Sequence, residues 1–374
     1  MGRFRAQAVG MDIDRGAIKA AQVSSGGGDY TLQHVGYRRL PPGTITEGEV
    51  ADQDLLASEI GEFWSTHGFK GKTAVLGLSN QKVVVRLLDF PRMDPEDLKS
   101  AIGFEAQDHI PMPIDEAVLD YVVLGPQEEG SDLDRILIVA AQKDMVSRFT
   151  SAARTAGIRP VGVDVKALSL MRSTLPETLF DEGATLLLDV GTEITNLVVS
   201  QGGSPTLTRF IIGGSNQFSQ TIAEVAGIEE EDAERHLMNP KLRIGDYPED
   251  ENLELEAGEA EDEESEDDLD PALMFDIRRG LEDSVQVMAE DVQRSVEYHY
   301  SQPGAQEVSQ VFVSGEGALV EGLDNYVGEL LGIPAHRGSP LQKLAANRSN
   351  VSDEQLRVME PVLAIALGLA IEEA

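Results

Sequence analysis

The feature that most constrains this chain is a strand–turn–strand pattern that occurs twice. The first copy is Val9-Gly10-Met11-Asp12-Ile13-Asp14-Arg15-Gly16-Ala17-Ile18-Lys19, and the second is Leu187-Leu188-Asp189-Val190-Gly191-Thr192-Glu193-Ile194-Thr195-Asn196. Each copy runs an apolar strand into an aspartate, turns through a short loop containing glycine, and leaves on a second strand. The two aspartates, Asp12 and Asp189, lie 177 positions apart, so each copy opens one half of the 374-residue chain. At roughly 100–200 residues per domain, that length suggests two or three structural units.

The repeated turn carries a definite chemistry. A tight turn between strands exposes successive backbone N–H groups, and a nest of such donors can hold a phosphate. Glycine permits positive φ and lets an anion approach the chain closely. An aspartate at the strand end can hold a hydrated Mg²⁺, which prefers oxygen ligands and keeps most of its waters. A third segment, Val311-Phe312-Val313-Ser314-Gly315-Glu316-Gly317-Ala318, reads as a strand entering a glycine turn and feeding a helix. That is a common geometry for contacting nucleotide phosphates.

Around these segments strands and helices alternate, which is the signature of an α/β chain. Strands are expected over residues 8–13, 18–24 and 30–40, then 73–78, 82–88, 118–123 and 135–141, then 184–190, 195–200 and 310–314. Residues 160–165 are expected to run as an extended exit. A helix over 55–67 would bury Leu55, Leu56, Ile60, Phe63 and Trp64 on one face and stop at Gly68. Asp94 followed by Pro95 opens a helix carrying Leu98, Ile102 and Phe104, which the prolines of Ile110-Pro111-Met112-Pro113 end. Further helices are expected over 144–156, 215–226, 230–238, 271–300, 319–331 and 361–371.

Composition narrows the function. The chain has no cysteine, which excludes disulfides, thiolate metal sites and a cysteine nucleophile and points to a reducing compartment. The formal net charge is −36 and no basic cluster is present, so nucleic acid is not an expected partner. Fifteen acidic residues fall between 246 and 270, a run too charged to collapse and read as a solvated linker. No stretch approaches the ~20 apolar residues of a membrane-spanning helix. The first residues lack the long apolar region of a secretory signal, so a soluble cytoplasmic protein without direct membrane insertion is expected. The six histidines show no metal-ligand spacing, and no Gly-x-Ser-x-Gly elbow occurs.

The three loops together resemble those of the superfamily of actin, heat-shock chaperones and sugar kinases. Within it the chain is similar to the type IV pilus assembly protein PilM family. The more specific resemblance lies in 82–171: Lys82-Val83-Val84-Val85-Arg86, Phe90-Pro91-Arg92-Met93, Phe104-Glu105-Ala106, His109-Ile110-Pro111-Met112-Pro113, Val118-Leu119-Asp120-Tyr121, Val139-Ala140-Ala141, Lys143, Gly157-Ile158 with Pro160, and Val163-Asp164-Val165. It extends to Arg294-Ser295 and to the Gly-Leu-Ala ending, and leaves out about 240–272.

The resemblance implies a bilobed actin-like (ribonuclease H-like) fold with an FtsA-type 1C (SHS2-like) subdomain inserted in the first lobe. Core subdomain 1A would span 1–78, completed by about 164–184 and 355–374. Subdomain 1C would span 79–163, and the second lobe 185–354. Within that lobe 2A covers about 185–213 and 308–354, and 2B about 214–307 with the acidic, disordered insertion 244–272. ATP and Mg²⁺ would sit between the lobes. Asp12, Asp14, Arg15 and Gly16 would face the terminal phosphates with Lys19 neutralising them, and Gly191, Thr192, Thr195 and Asn196 would hold the other side. Asp12 and Asp189 would serve the metal. Arg294 and Ser295 would flank adenine or ribose, above a floor of Gly315, Glu316, Gly317 and Ala318. Asp164 would orient a water or, as a structural role, cap a helix.

The resemblance also implies a partner. The cytoplasmic tail of a PilN-type membrane protein would dock between the inserted subdomain and 1A, with Arg86, Glu105, Ile110, Pro111, Met112 and Pro113 as candidate contacts. Through it the protein would join the inner-membrane platform with other pilus components and the motor ATPase. The alternatives on the same fold are an ATP-dependent kinase or active ATPase and an FtsA-like filament former, though the chain stops at Glu372-Glu373-Ala374 without a separated amphipathic helix. Two positions depart from the family pattern. Asp14 stands in place of a glycine at the first loop, and Glu316 in place of one at the third. A like-charge pair ~4 Å apart costs on the order of 4 kcal/mol at an effective dielectric of 20, so weak nucleotide binding with weak or no hydrolysis is expected.

Overall fold

The computed structural model describes residues 8–26, 29–127, 130–180, 183–237, 242–244 and 271–371. The acidic run 246–270 lies outside them.

Two sheets share one plan. In the first, β1 (Val9–Ile13), β2 (Ala17–Gly26) and β3 (Asp29–Arg39) form an antiparallel meander. A short hairpin, β4 (Ile45–Thr46) and β5 (Glu49–Val50), leads to helix α1 (Gln53–His67), after which β6 (Thr73–Leu78) returns parallel to β1. The chain then makes β7 (Val83–Pro91), helix α2 (Pro95–His109), β8 (Ala117–Pro126), β9 (Leu133–Gln142) and helix α3 (Lys143–Thr155). Strand β10 (Arg159–Val165) rejoins the first sheet parallel to β6, and helix α4 (Lys166–Thr174) follows.

The second sheet repeats the plan with β11 (Ala184–Val190), β12 (Ile194–Gln201) and β13 (Ser204–Ile212) as its meander. Helices α5 (Ser215–Ala226), α6 (Glu230–Leu237) and α7 (Pro271–Tyr300) precede β14 (Val308–Ser314), which runs parallel to β11. Helix α8 (Leu323–Leu331) and β15 (Ala335–Arg337) follow. The chain ends with β16 (Leu344–Asn347), α9 (Asp353–Met359) and α10 (Ala364–Ala370). The strand orders β3-β2-β1-β6-β10 and β13-β12-β11-β14-β15 therefore correspond position by position.

Local chemistry explains the elements. Strands β1 and β11 are buried along their whole length, as central strands covered on both faces must be, and they read as near-continuous apolar runs. Helix α1 starts where the Asp52 carboxylate accepts from Leu55 N at 2.9 Å and stops at Gly68, φ 67°, a cap that a left-handed residue closes readily. Its buried face is Leu56, Ala57, Ile60, Phe63 and Trp64, with Leu55 at the margin. Helix α2 buries Leu98, Ile102 and Ala106 against the three-stranded sheet β7-β9-β8, whereas Phe104, expected on that face, is 69% exposed. The spacing from Ile102 to Phe104 is two, which turns a helical side chain away from its neighbour's face.

Three further details differ from expectation. Residues 160–165 are a paired sheet strand. The helix expected from 319 begins at Leu323, because Gly322 takes φ 85° and a Cβ there would lie 2.4 Å from the Ile244 carbonyl. Strand β16 pairs in parallel with β3, so the return to the first sheet begins before residue 355. Helix α4, short and rich in small polar residues, packs on α10 and also on β11 and β12. Leu187 and Val198 consequently belong to the same apolar core as Val9, Met11 and Leu170. That shared core joins the two lobes at their base.

Candidate functional site

The register of the two hairpins places the polar residues. Asp12 lies opposite Lys19 across β1 and β2, and Asp189 lies opposite Asn196 across β11 and β12. Directly opposed residues on antiparallel strands interact, so each aspartate meets the residue seven positions on. Lys19 Nζ is 3.6 Å from Asp12 Oδ2, and Asn196 Nδ2 donates to Asp189 Oδ2 at 2.9 Å. Strand β14 sets Ser314 beside Asp189, so the loops leaving β11 and β14 emerge side by side. Gly315 makes this possible: its φ is 88° and a Cβ would lie 2.5 Å from the Val190 carbonyl oxygen, a fit open only to glycine.

Lys19 is the hub. Its Nζ is 2.5 Å from Asp14 Oδ2 and 3.5 Å from Glu316 Oε1. A second ammonium, that of Lys166 at the start of α4, lies 2.6 Å from Asp12 Oδ1 and donates to the Ile13 carbonyl at 2.8 Å. Four carboxylates (Asp12, Asp14, Asp189 and Glu316) thus face two lysines. Burial opposes the charged form of Lys19, but Asp14, Glu316, Asp12 and Asp189 outweigh it and hold its pKa well above the usual value. Burial likewise opposes the Asp14 anion, and there Lys19, Lys166 and the donated hydrogen bonds win, lowering its pKa. Among the described residues no lysine pairs with Asp189. Burial and then the Asp12 charge push it up to about 6, which Lys19 and the Asn196 hydrogen bond only partly offset. Tyr37 donates to Glu316 Oε1 at 3.4 Å, and burial followed by the Glu316 charge pushes its phenol up to about 12.

Asp14 folds back on its own turn. Its Oδ1 accepts from Gly16 N at 2.8 Å and from Ala17 N at 2.9 Å, so the donors of the first loop are taken by the chain's own carboxylate. Across the cleft Thr192 Oγ1 donates to Glu316 Oε2 at 2.5 Å and stands 3.5 Å from Asp14 Oδ1. The two turns touch: a Cβ on Gly16 would lie 2.4 Å from Thr192 Oγ1. In the second loop Gly191 N is bonded to the carbonyls of Asp189 and Ile194. Deeper in, the Ser79 hydroxyl donates to Asn196 Oδ1. At the rim Glu193 accepts from Glu47 N at 2.7 Å and lies 3.6 Å from Arg15.

Most of the residues expected at the loops therefore meet here: Asp12, Asp14, Arg15, Gly16, Lys19, Asp189, Gly191, Thr192, Asn196, Gly315 and Glu316, with Gly317 and Ala318 in the buried turn behind. Thr195 faces the interior of the second lobe, donating to the Gly213 carbonyl at 2.8 Å beside Met288. Arg294 pairs with Asp291 on the exposed face of α7, and Ser295 is buried against Asp291 and Arg209. Neither is bonded to the loops. Asp164 binds Arg172 at 3.0 Å and Ser169 at 3.1 Å and so anchors the start of α4. Lys166, Tyr37 and Ser79 were not anticipated, since each comes from a different element and none carries a local motif. Among the described residues no group of three or more His, Asp or Glu is arranged to hold a metal ion.

A second candidate site is an apolar groove of about 560 Å³ between the three-stranded sheet and α4 with β10. Val118 and Val122 of β8, Val139 of β9, Val163 of β10 and Leu168 of α4 line it, with Phe180 and Pro205. Strands β8 and β10 are each an edge strand of their sheet, with no neighbouring strand on the outer side among the described residues. Val122 is 57% exposed, and Val118, Leu124 and Val163 of the same groove are exposed with it. The six residues expected at a partner interface lie elsewhere. None lines this groove. Ile110 and Met112 pack in the core under α2, which covers the opposite face of the sheet, while Arg86, Glu105, Pro111 and Pro113 are exposed.

Comparisons with solved structures agree with this architecture. A structure described as the PilM-PilN type IV pilus biogenesis complex superposes with a TM-score of 0.80 at 26% identity, covering 98% of each chain. The ethanolamine utilization protein EutJ from Carboxydothermus hydrogenoformans gives 0.54 at 13% identity, covering 97% of this chain and 88% of that one. MreB5 of Spiroplasma citri bound to ADP gives 0.53 at 12% identity, covering 96% and 94%. The last two share the fold alone, and the fold is α/β, bilobed and actin-like. The sequence profile of the type IV pilus assembly protein PilM matches residues 10–256 and 249–374. The chain thus belongs to the type IV pilus assembly protein PilM family.

Proposed function

We propose that this protein works in type IV pilus assembly by holding the cytoplasmic tail of a PilN-type membrane protein in the groove between β8 and β10. The single observation that carries the reading is that two unpaired strand edges face one apolar trough. An extended peptide can add to such an edge, with main-chain hydrogen bonds supplying affinity and alternate side chains filling pockets. A relative whose structure is described as a PilM-PilN complex supports the choice of partner. In this reading the segment expected as the inserted 1C subdomain, 79–163, supplies β8 and most of β10, although β10 is paired with β6 in the first-lobe sheet, and α4 follows from that sheet. Among the described residues no helix is long and apolar enough to cross a membrane. The protein would then sit at the cytoplasmic side of the inner membrane through its partner, beside other platform components and the motor ATPase.

The test is a calorimetric titration with a synthetic peptide of the cognate PilN-type tail. Micromolar-class affinity is expected. Val122→Glu, which puts a charge into the trough, should weaken it at least about tenfold, whereas Glu105→Ala on α2 should leave it unchanged. No heat from the wild type, or loss of binding only with the α2 substitution, would sink the groove assignment.

The interlobe cleft carries the corresponding nucleotide reading, ATP with Mg²⁺, supported by the ADP bound to one neighbour of the same fold and by the lysine and aspartates at the loops. As packed, the residues do not fit a triphosphate. The first-loop N–H groups are bonded to Asp14, Lys19 is paired with Asp14 and Glu316, Asp12 is paired with Lys166, and Gly16 abuts Thr192.

A further inference from the structure

We infer that Asp14 and Glu316 take the place of nucleotide phosphates in this chain and clasp the two lobes together with no nucleotide in the cleft. The inference rests on the reading of the three loops as an actin-type phosphate site and reverses what that site needs in order to close.

The two carboxylates divide the roles an incoming polyphosphate would have. Asp14 satisfies the turn donors Gly16 N and Ala17 N and neutralises Lys19. Glu316, carried on the second lobe, crosses the cleft to Lys19 and Tyr37 of the first lobe while accepting from Thr192 of its own. Contacts to ionised partners are stronger than neutral ones, and two of those made here cross the cleft, Glu316 to Lys19 at 3.5 Å and to Tyr37 at 3.4 Å, where Glu316 is 13% and Asp14 17% exposed. The Ser79–Asn196 and Glu47–Glu193 contacts add neutral and charged bonds across the same gap. The cluster already holds two more carboxylates than lysines. A triphosphate entering it would meet like charge, which at ~4 Å costs on the order of 4 kcal/mol per pair at an effective dielectric of 20. Lys166 stays committed to Asp12 and the Ile13 carbonyl and offers no relief. Glu316 is the separable part of this arrangement. Its loss leaves Lys19 paired with Asp14 and Asp12, so a glycine there removes the bridge without stranding the lysine.

The experiment uses the absence of cysteine in the chain. Arg39 and Glu234 face each other across the cleft mouth at 3.8 Å and are exposed, so Arg39→Cys with Glu234→Cys gives one spin-label pair spanning the lobes. Distances are read by pulsed electron resonance with and without Mg-ATP, and Mg-ATP affinity is read by calorimetry, for the wild-type background, Glu316→Gly and Glu316→Gln. The wild-type background is expected to show one narrow distance that Mg-ATP leaves unchanged, with no measurable binding. Glu316→Gly should broaden the distance, bind Mg-ATP at least about tenfold more tightly, and narrow again when it is bound. Glu316→Gln keeps one acceptor oxygen for a hydroxyl, offers an amide N–H to the other, and loses the charge facing Lys19, so it should fall between. A wild-type distance that is broad without nucleotide and narrowed by it would overturn the inference, as would a Glu316→Gly protein identical to wild type in both readouts. Loosening in Glu316→Gly with no Mg-ATP binding by any variant would uphold the clasp and overturn the nucleotide reading of the cleft.

Discussion

The hairpin of the first lobe and that of the second have the same geometry and different chemistry. In each an aspartate near the end of the first strand faces the residue seven positions on, but in the first lobe that residue is Lys19 and in the second it is Asn196. Asp12 sits between two ammonium groups, whereas Asp189 has one amide and is raised to about 6. Burial alone therefore does not set the state of a carboxylate here. The neighbouring cations do: Asp14, beside Lys19, is lowered where Asp189, opposite an amide, is raised, although both are largely buried.

The largest break in that contrast is Lys19→Ala. It leaves Asp14, Asp12 and Glu316 without their common cation, and removing one partner of a buried ion pair costs about 3–5 kcal/mol. Urea unfolding should show a loss of that order. The equivalent change in the second lobe, Asn196→Ala, removes one hydrogen bond each to Asp189 and Ser79 and should cost about 1–3 kcal/mol. Equal losses at the two positions would remove the distinction between the lobes.

The most specific effect is a dependence on pH. The folded pKa of Asp189, about 6, lies above the ordinary carboxylate value, so between about pH 4 and pH 6 the folded protein holds a proton that the unfolded chain has lost. Its contribution to stability accordingly falls as pH rises through that window and is flat above it. Asp14 has the opposite sign: its lowered pKa stabilises the fold above the usual carboxylate range and that stabilisation is lost as pH falls below it. Stability of Asp189→Asn relative to wild type, measured with a chelator present, should therefore climb from pH 4 to pH 6 and then level. A difference independent of pH would show that Asp189 titrates normally. Restoring a cation opposite it, with Asn196→Lys, should bring the window down toward the ordinary carboxylate range.

The sequence pattern made the paired hairpins, the long helix α7 and the third glycine turn legible, because each is local: apolar runs of strand length, a sustained helical period, and glycine where backbones crowd. Lys166, Tyr37 and Ser79 were invisible for the opposite reason. They reach the cleft from α4, β3 and the end of β6, and nothing in their own segments marks a lysine, tyrosine or serine as facing another lobe. Phe104 and the Ile110–Pro113 turn show a different limit. Their residue types suggest contact, but which face of α2 is buried is set by the sheet beneath it, and that sheet turns Ile110 inward and Phe104 out. Asp14 and Glu316 could be noticed as departures from the family pattern, yet only their register across the cleft turns two unfavourable substitutions into partners of Lys19 and Thr192.

The most direct test is an experimental structure of the nucleotide-free protein. The expected result is a closed cleft, with the Glu316 carboxylate within hydrogen-bonding distance of both Thr192 Oγ1 and Lys19 Nζ, and Asp14 bonded to the amides of Gly16 and Ala17. Lobes held apart, with Lys19 open to solvent and Glu316 turned away from it, would contradict it.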